Sequence, residues 1–172
     1  MLRGSLLYLS EQEALKRAFS GPLARPLVRR FVAGEMLGDA LPVVRRLNDA
    51  GLTVTLDYLG ESVASAVEAG QAALQYVAIL HALERQGARS NASLKLTQMG
   101  LDVDRALAVR NLERIVAQAA QFGNFIRIDM EGSDYTQVTL DIFKQLFERR
   151  KNVGVVIQAY LYRSEADVRE LN

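Results

Sequence analysis

The chain has 172 residues, 49% apolar and 24% charged, which is the composition of one globular domain with a sizeable core. Its formal net charge of +1 offers no broad basic field for nucleic acid, and the absence of cysteine excludes both a disulfide framework and a thiolate site. The single histidine, His81, sits alone within the helical pattern QYVAILHALER, so it reads as structural rather than metal-binding.

A helix is expected over 10–19, closed by the Gly21-Pro22 break. Residues 27–32 read as a strand, 37–48 as a helix ending at Ala50-Gly51, 53–59 as a strand, and 62–86 as a long helix. The alternation continues with a strand over 93–97, a helix over 104–121 closed by Gly123, a strand over 125–130, and a helix over 134–150. A fifth strand is expected over 153–160. Ser164 is then placed to cap a last helix, with Asp167 completing a capping-box-like start. The basic runs Arg29-Arg30, Arg45-Arg46 and Arg149-Arg150-Lys151 are short and suit the negative ends of helix dipoles. No apolar run approaches the ~20 residues that span a bilayer, and the N-terminal stretch lacks a cleavage signal, so the default location is cytoplasmic.

Strands alternating with helices predict parallel βαβ units. An open doubly wound sheet and a barrel both satisfy that pattern. The turn after the first predicted strand, Ala33-Gly34-Glu35-Met36-Leu37-Gly38, lacks the G-x-G-x-x-G of a dinucleotide-binding sheet. Side-chain alternation supplies a second argument. Ser93, Lys95 and Thr97 oppose Leu94 and Leu96, and Phe125, Arg127 and Asp129 oppose Ile126, Ile128 and Met130. Helices on both faces would bury Lys95, Arg127 and Asp129 unpaired against apolar stripes, which is costly. A barrel lumen holding a polar ligand removes the conflict. The expected fold is therefore α/β, a parallel (β/α)8 barrel of which about five βα units are present. Residues 1–26 would be a helical lead-in and 27–172 the barrel, all in a single domain. Asp57, Lys95, Asp129 and Gln158 fall late in their strands, where barrel active sites gather.

Five segments occur in order: RRFVAGE (29–35), LDYLGE (56–61), SLKLTQMGLD (93–102), IRIDMEGSDYTQVTL (126–140) and VGVVIQAYLYRSEADV (153–168). Together they resemble the successive strand-end motifs of the proline dehydrogenase family, of the monofunctional bacterial type. The resemblance implies an FAD-dependent barrel that oxidises L-proline to Δ1-pyrroline-5-carboxylate and passes electrons to a quinone, with peripheral association at the inner membrane. It implies that Lys95 binds the substrate carboxylate, that Asp129 is an active-site residue, and that Met130 and Gln158 lie against the flavin. Glu61 resembles a gate residue that pairs with an arginine from later in such chains.

The residue types suit that chemistry. A buried ammonium such as Lys95 neutralises a carboxylate with three donors. A hydride leaves the ring carbon only when the neighbouring nitrogen has lost a proton, and a carboxylate such as Asp129 can orient or accept it. Read without the family, the residues keep other roles open. Lys95 can pair with Asp57 or Asp129 as a structural ion pair, Asp129 can cap the loop Glu131-Gly132-Ser133, and Glu61 can favour a helix start. Tyr160 and Tyr162 read as wall residues. The family's sixth-strand motif and final helix have no counterpart before Asn172, so a fragment is expected that would not turn over by itself. The competing readings are another flavin barrel, such as a methylenetetrahydrofolate reductase, and a non-catalytic half-barrel assembly module. The sequence leaves the oligomeric state open.

Overall fold

The computed structural model describes residues 32–60 and 62–172. The helix expected over 10–19, nearly all of the strand expected over 27–32, and Glu61 lie outside the described residues. The chain divides into two compact units, Met1–Arg46 and Leu47–Asn172. In the first, the described residues open helix α1 (Leu37–Asp49), where the carbonyl of Met36 receives the N–H groups of Asp39 and Ala40.

The second unit carries β1 (Val54–Asp57), α2 (Ala66–Arg85), β2 (Ser90–Leu94), α3 (Arg105–Gln121) and β3 (Ile126–Ile128). A 3₁₀ turn (Ser133–Tyr135), α4 (Thr136–Arg149), β4 (Val153–Val155) and α5 (Ser164–Leu171) complete it. The sheet is fully parallel, in the order β1-β2-β3-β4. An order that follows the sequence without reversal, joined by right-handed crossovers, sends the helices that connect the strands to one face of the sheet. A doubly wound sheet must reverse its order to cover both faces. The winding is that of a (β/α)8 barrel, here a partial one.

Burial follows that winding. Ala92, Leu94, Ile126 and Ile128 are inaccessible on one face of the sheet, while Thr55 and Arg127 on the other are exposed. Helix α2 buries Ala69, Ala73, Tyr76, Leu80 and Leu83 at three- and four-residue spacing, and α3 buries Ala108, Leu112, Ile115 and Ala119. Burying each leucine contributes roughly 1.5–3 kcal/mol, and Leu94→Ala would cost about 2–5 kcal/mol with the cavity it leaves.

Local chemistry sets the helix limits. Ser65 caps α2 by accepting the N–H of Glu68, and Glu68 reaches back to the N–H of Ala64. Asp104 caps α3 through the N–H of Leu107 at 2.6 Å. The glycines expected to close helices do so, with left-handed φ of +85° at Gly51 and +63° at Gly123.

At the N-terminal ends of the strands, asparagines stitch the chain. Asn124 donates to the carbonyl of Ser90, and Asn152 to those of Val116 and Asn124. On the face that carries Arg127, Phe125 lies over Gly154 so closely that a Cβ there would meet the ring at 2.6 Å. The end of the barrel away from the site is thus the stabilising one.

Several expected boundaries move. The strand expected over 93–97 is β2 over Ser90–Leu94, because the carbonyls of Lys95 and Leu96 are taken by turn bonds from Met99 and Leu101. The other strands are also shorter than expected, leaving Lys95, Asp129 and Gln158 in the loops beyond them. The helix expected from 62 begins at Ala66, and the one expected from 134 begins with the 3₁₀ turn. Ser164 is not an N-cap. It lies inside α5 with its hydroxyl turned back to the carbonyl of Gln158, while Asp167 accepts from Arg163 at 2.7 and 2.9 Å. A charged partner four residues away outcompetes the backbone for that carboxylate.

Candidate active site

Parallel register sets the site. Asp57 stands opposite Ser93, and Ser93 opposite Arg127, so these three side chains share one face at one level. One step further toward the C-terminal ends, Asp129 donates its N–H to the carbonyl of Leu94, which puts it level with Lys95. Two carboxylates and two cations therefore converge at the mouth.

The Lys95 ammonium lies 3.5 Å from Asp57 Oδ2, with side chains 22% and 37% exposed. At that exposure the pair is held but not locked, because solvent screens it. The ion pair left open between Asp57 and Asp129 in the sequence goes to Asp57. Burial, then the neighbouring Asp57 charge, raises the pKa of Asp129; Lys95, the Ser93 hydroxyl and Arg127 pull it down without cancelling the rise. Lys95 acts on Asp129 in the expected sense, yet it is outweighed. A carboxyl in such surroundings holds a proton more readily than a surface one.

Behind Asp57, Tyr76 and Gln98 bring further polar atoms together. The hydroxyl of Tyr76, on α2, is 3.3 Å from Asp57 Oδ1, 3.3 Å from the carbonyl of Tyr58 and 3.1 Å from Gln98 Oε1. Gln98 Nε2 donates to the same Tyr58 carbonyl at 3.2 Å. Across the mouth, Thr97 gives both its N–H (3.1 Å) and its hydroxyl (2.5 Å) to the carboxylate of Glu131. The Thr97 oxygen also accepts the N–H of Ser62, which sits at a left-handed φ of +47°. The loops after β1, β2 and β3 are thereby tied together.

Gln158 donates through Nε2 to the carbonyl of Met130 at 3.1 Å, and Met130 is buried. Gln158 Oε1 is buried without a partner among the described residues. An orphaned acceptor costs free energy unless something donates to it, and an N–H on the edge of a flavin ring is such a donor. The residues fit the group on that observation.

Lys95, Asp57, Asp129, Met130 and Gln158 thus all lie at or beyond the C-terminal ends of the strands, while Glu61 lies outside the described residues. Tyr160 and Tyr162 are exposed. Tyr76, Gln98 and Glu131 are not legible as site residues in the sequence, and Thr97 reads there only as one more residue of the polar strand face. Tyr76 is in phase with the apolar stripe of α2, and nothing in that spacing shows where its hydroxyl reaches. Among the described residues no cluster of His, Asp and Glu could hold a metal, and no helix is long and apolar enough to cross a membrane.

A parallel, singly wound sheet with its charged groups gathered beyond the strand ends defines a barrel protein whose site is built by βα loops. The chain belongs to the proline dehydrogenase family, whose model matches residues 40–172. It is 40% identical to proline dehydrogenase 1 of Bacillus subtilis (strain 168) over 171 residues, covering 99% of this chain and 57% of that one. It is 36% identical to the proline dehydrogenase of Deinococcus radiodurans over 146 residues, covering 82% of this chain and 47% of that one. The fold matches the crystal structure of proline utilization A from Bdellovibrio bacteriovorus inactivated by N-propargylglycine, with a TM-score of 0.79 and 25% identity. That match covers 86% of this chain and 18% of the other. The chain spans about half the length of the curated relatives it matches.

Proposed function

We propose that the intact protein is an FAD-dependent proline dehydrogenase, oxidising L-proline to Δ1-pyrroline-5-carboxylate and passing the electrons to a quinone at the inner membrane surface. The observation that carries this reading is the level placement of Lys95 and Asp129 on adjacent strand ends in a member of the family. A cyclic amino acid presents a carboxylate and an amine, and Lys95 and Asp129 offer it a cation and a carboxylate side by side.

Lys95 takes the substrate carboxylate, and Asp129 holds the ring nitrogen or receives its proton. The raised pKa of Asp129 suits proton exchange with an amine better than a surface carboxylate would. Gln158 and Met130 hold the flavin, whose chemistry when bound is to accept the hydride from the substrate ring. Gln158 Oε1, unpartnered, would accept from the bound ring, while its Nε2 keeps the amide oriented through Met130. Glu61 closes the site as a gate. Loops drawn together by Thr97 and Glu131 limit water at the reacting carbon.

Family membership favours this reading over a folate reductase. The test is reduction of a dye or quinone by the purified intact protein. L-proline supports it and a reduced folate does not. A half-barrel assembly module would bind no flavin and reduce nothing.

A further inference from the structure

The Tyr76 hydroxyl has one proton and three acceptors in reach: Asp57 Oδ1, the Tyr58 carbonyl and Gln98 Oε1. The Gln98 amide cannot turn to relieve the competition, because Nε2 is committed to the Tyr58 carbonyl. It is also pressed against Gly60, where a Cβ would stand 2.4 Å from Nε2. Both side chains are buried, so water does not supply the missing donors. On its other oxygen, Asp57 meets Lys95. The carboxylate is thus held from two sides, by a cation that faces the mouth and by a hydroxyl from the helix behind.

We propose that Tyr76 is a positioning residue whose hydroxyl turns from Gln98 to Asp57 when Lys95 leaves Asp57 for the carboxylate of the substrate. This rests on the proposed role of Lys95. Drawing the ammonium toward a second carboxylate leaves Asp57 short of a partner in a partly buried site, which opposes substrate binding. A hydroxyl already within reach offsets part of that loss, because its bond to a carboxylate outweighs the neutral bond it gives up at Gln98, and its reorientation moves no heavy atom. Burial and the Asp57 charge push the Tyr76 pKa well up, so the group remains a donor at any working pH.

The test is anaerobic calorimetric titration of the intact protein, any bound flavin reduced beforehand with dithionite, with L-proline and with prolinamide, whose neutral amide makes no demand on the Lys95 charge. Tyr76→Phe should weaken L-proline by about 5-fold, the worth of one hydrogen bond, and leave prolinamide within about 2-fold. Gln98→Leu removes the competing acceptor and leaves the hydroxyl to Asp57, so L-proline should bind about 2-fold tighter. Equal weakening of both ligands in Tyr76→Phe, or loss of proline affinity in Gln98→Leu, would show a structural clamp and overturn the proposal. Failure of the parent protein to turn over proline would count against the proposed function alone, because the titrations read binding without turnover.

Discussion

Asp57, at the end of β1, and Lys95, just beyond the end of the neighbouring β2, face each other at 3.5 Å across the mouth of the sheet, and each is partly open to solvent. A fully buried pair of that geometry would be a structural fixture, whereas one partly open to solvent gives up a partner at a lower cost, which a second donor to Asp57 can offset. Lys95 is therefore available to a second carboxylate.

Replacing it tests that availability. In the intact protein, Lys95→Ala should weaken proline-like carboxylic acids by about 2–4 kcal/mol while flavin content stays unchanged. Unaltered inhibitor affinity would return Lys95 to a purely structural role.

Asp129 makes a prediction in pH. Its folded pKa is raised, so the folded state binds the proton more tightly than the unfolded chain does. The stability it contributes is fully present below the unfolded carboxylate pKa and is lost as pH rises through the folded one. Asp129→Asn cannot titrate. The variant should melt above the parent at neutral pH, and the gap should close as pH falls below the usual carboxylate range. The same variant should keep its flavin and lose roughly 10²-fold or more in proline turnover. A lowered melting temperature with normal turnover would mark Asp129 as structural.

The carboxylates and cations of the mouth were readable because strand alternation and the barrel rule place polar residues on one face near the strand ends. The start of β2 was not, since Ser90, Asn91 and Ala92 give no apolar alternation to read. Nor were the ties beyond the strands. Thr97 looked like one more lumen residue by alternation, but the chain turns at Leu96, and Thr97 meets Glu131 from a different loop. Such contacts depend on how loops pass one another, which no spacing within one segment encodes.

Those ties carry their own prediction. Thr97→Val keeps the shape and the backbone bond to Glu131 but takes the hydroxyl from Glu131 Oε1 and the acceptor from the Ser62 N–H, and should cost about 1–3 kcal/mol of stability. Ser62 sits at φ +47°, where a branched residue is strained: Ser62→Val should cost about 1–2 kcal/mol more than Ser62→Gly. Chemical denaturation of the three variants checks both statements. Equal stability of the Val and Gly variants at 62 would contradict the left-handed turn.

Gln158→Leu removes the unpartnered Oε1 and the bond to Met130 together. It should lower flavin occupancy or shift the flavin potential, effects that Lys95→Ala does not share. An unchanged spectrum and potential would move Gln158 away from the ring.

The most direct measurement is anaerobic addition of L-proline to the purified intact protein while its visible absorbance is followed. The expected result is a yellow protein whose flavin bands bleach with L-proline and persist with prolinamide at matched concentration, because Lys95 then has no carboxylate to hold. A protein that takes up no flavin when FAD is supplied, or one whose flavin stays oxidised in saturating L-proline, would contradict it.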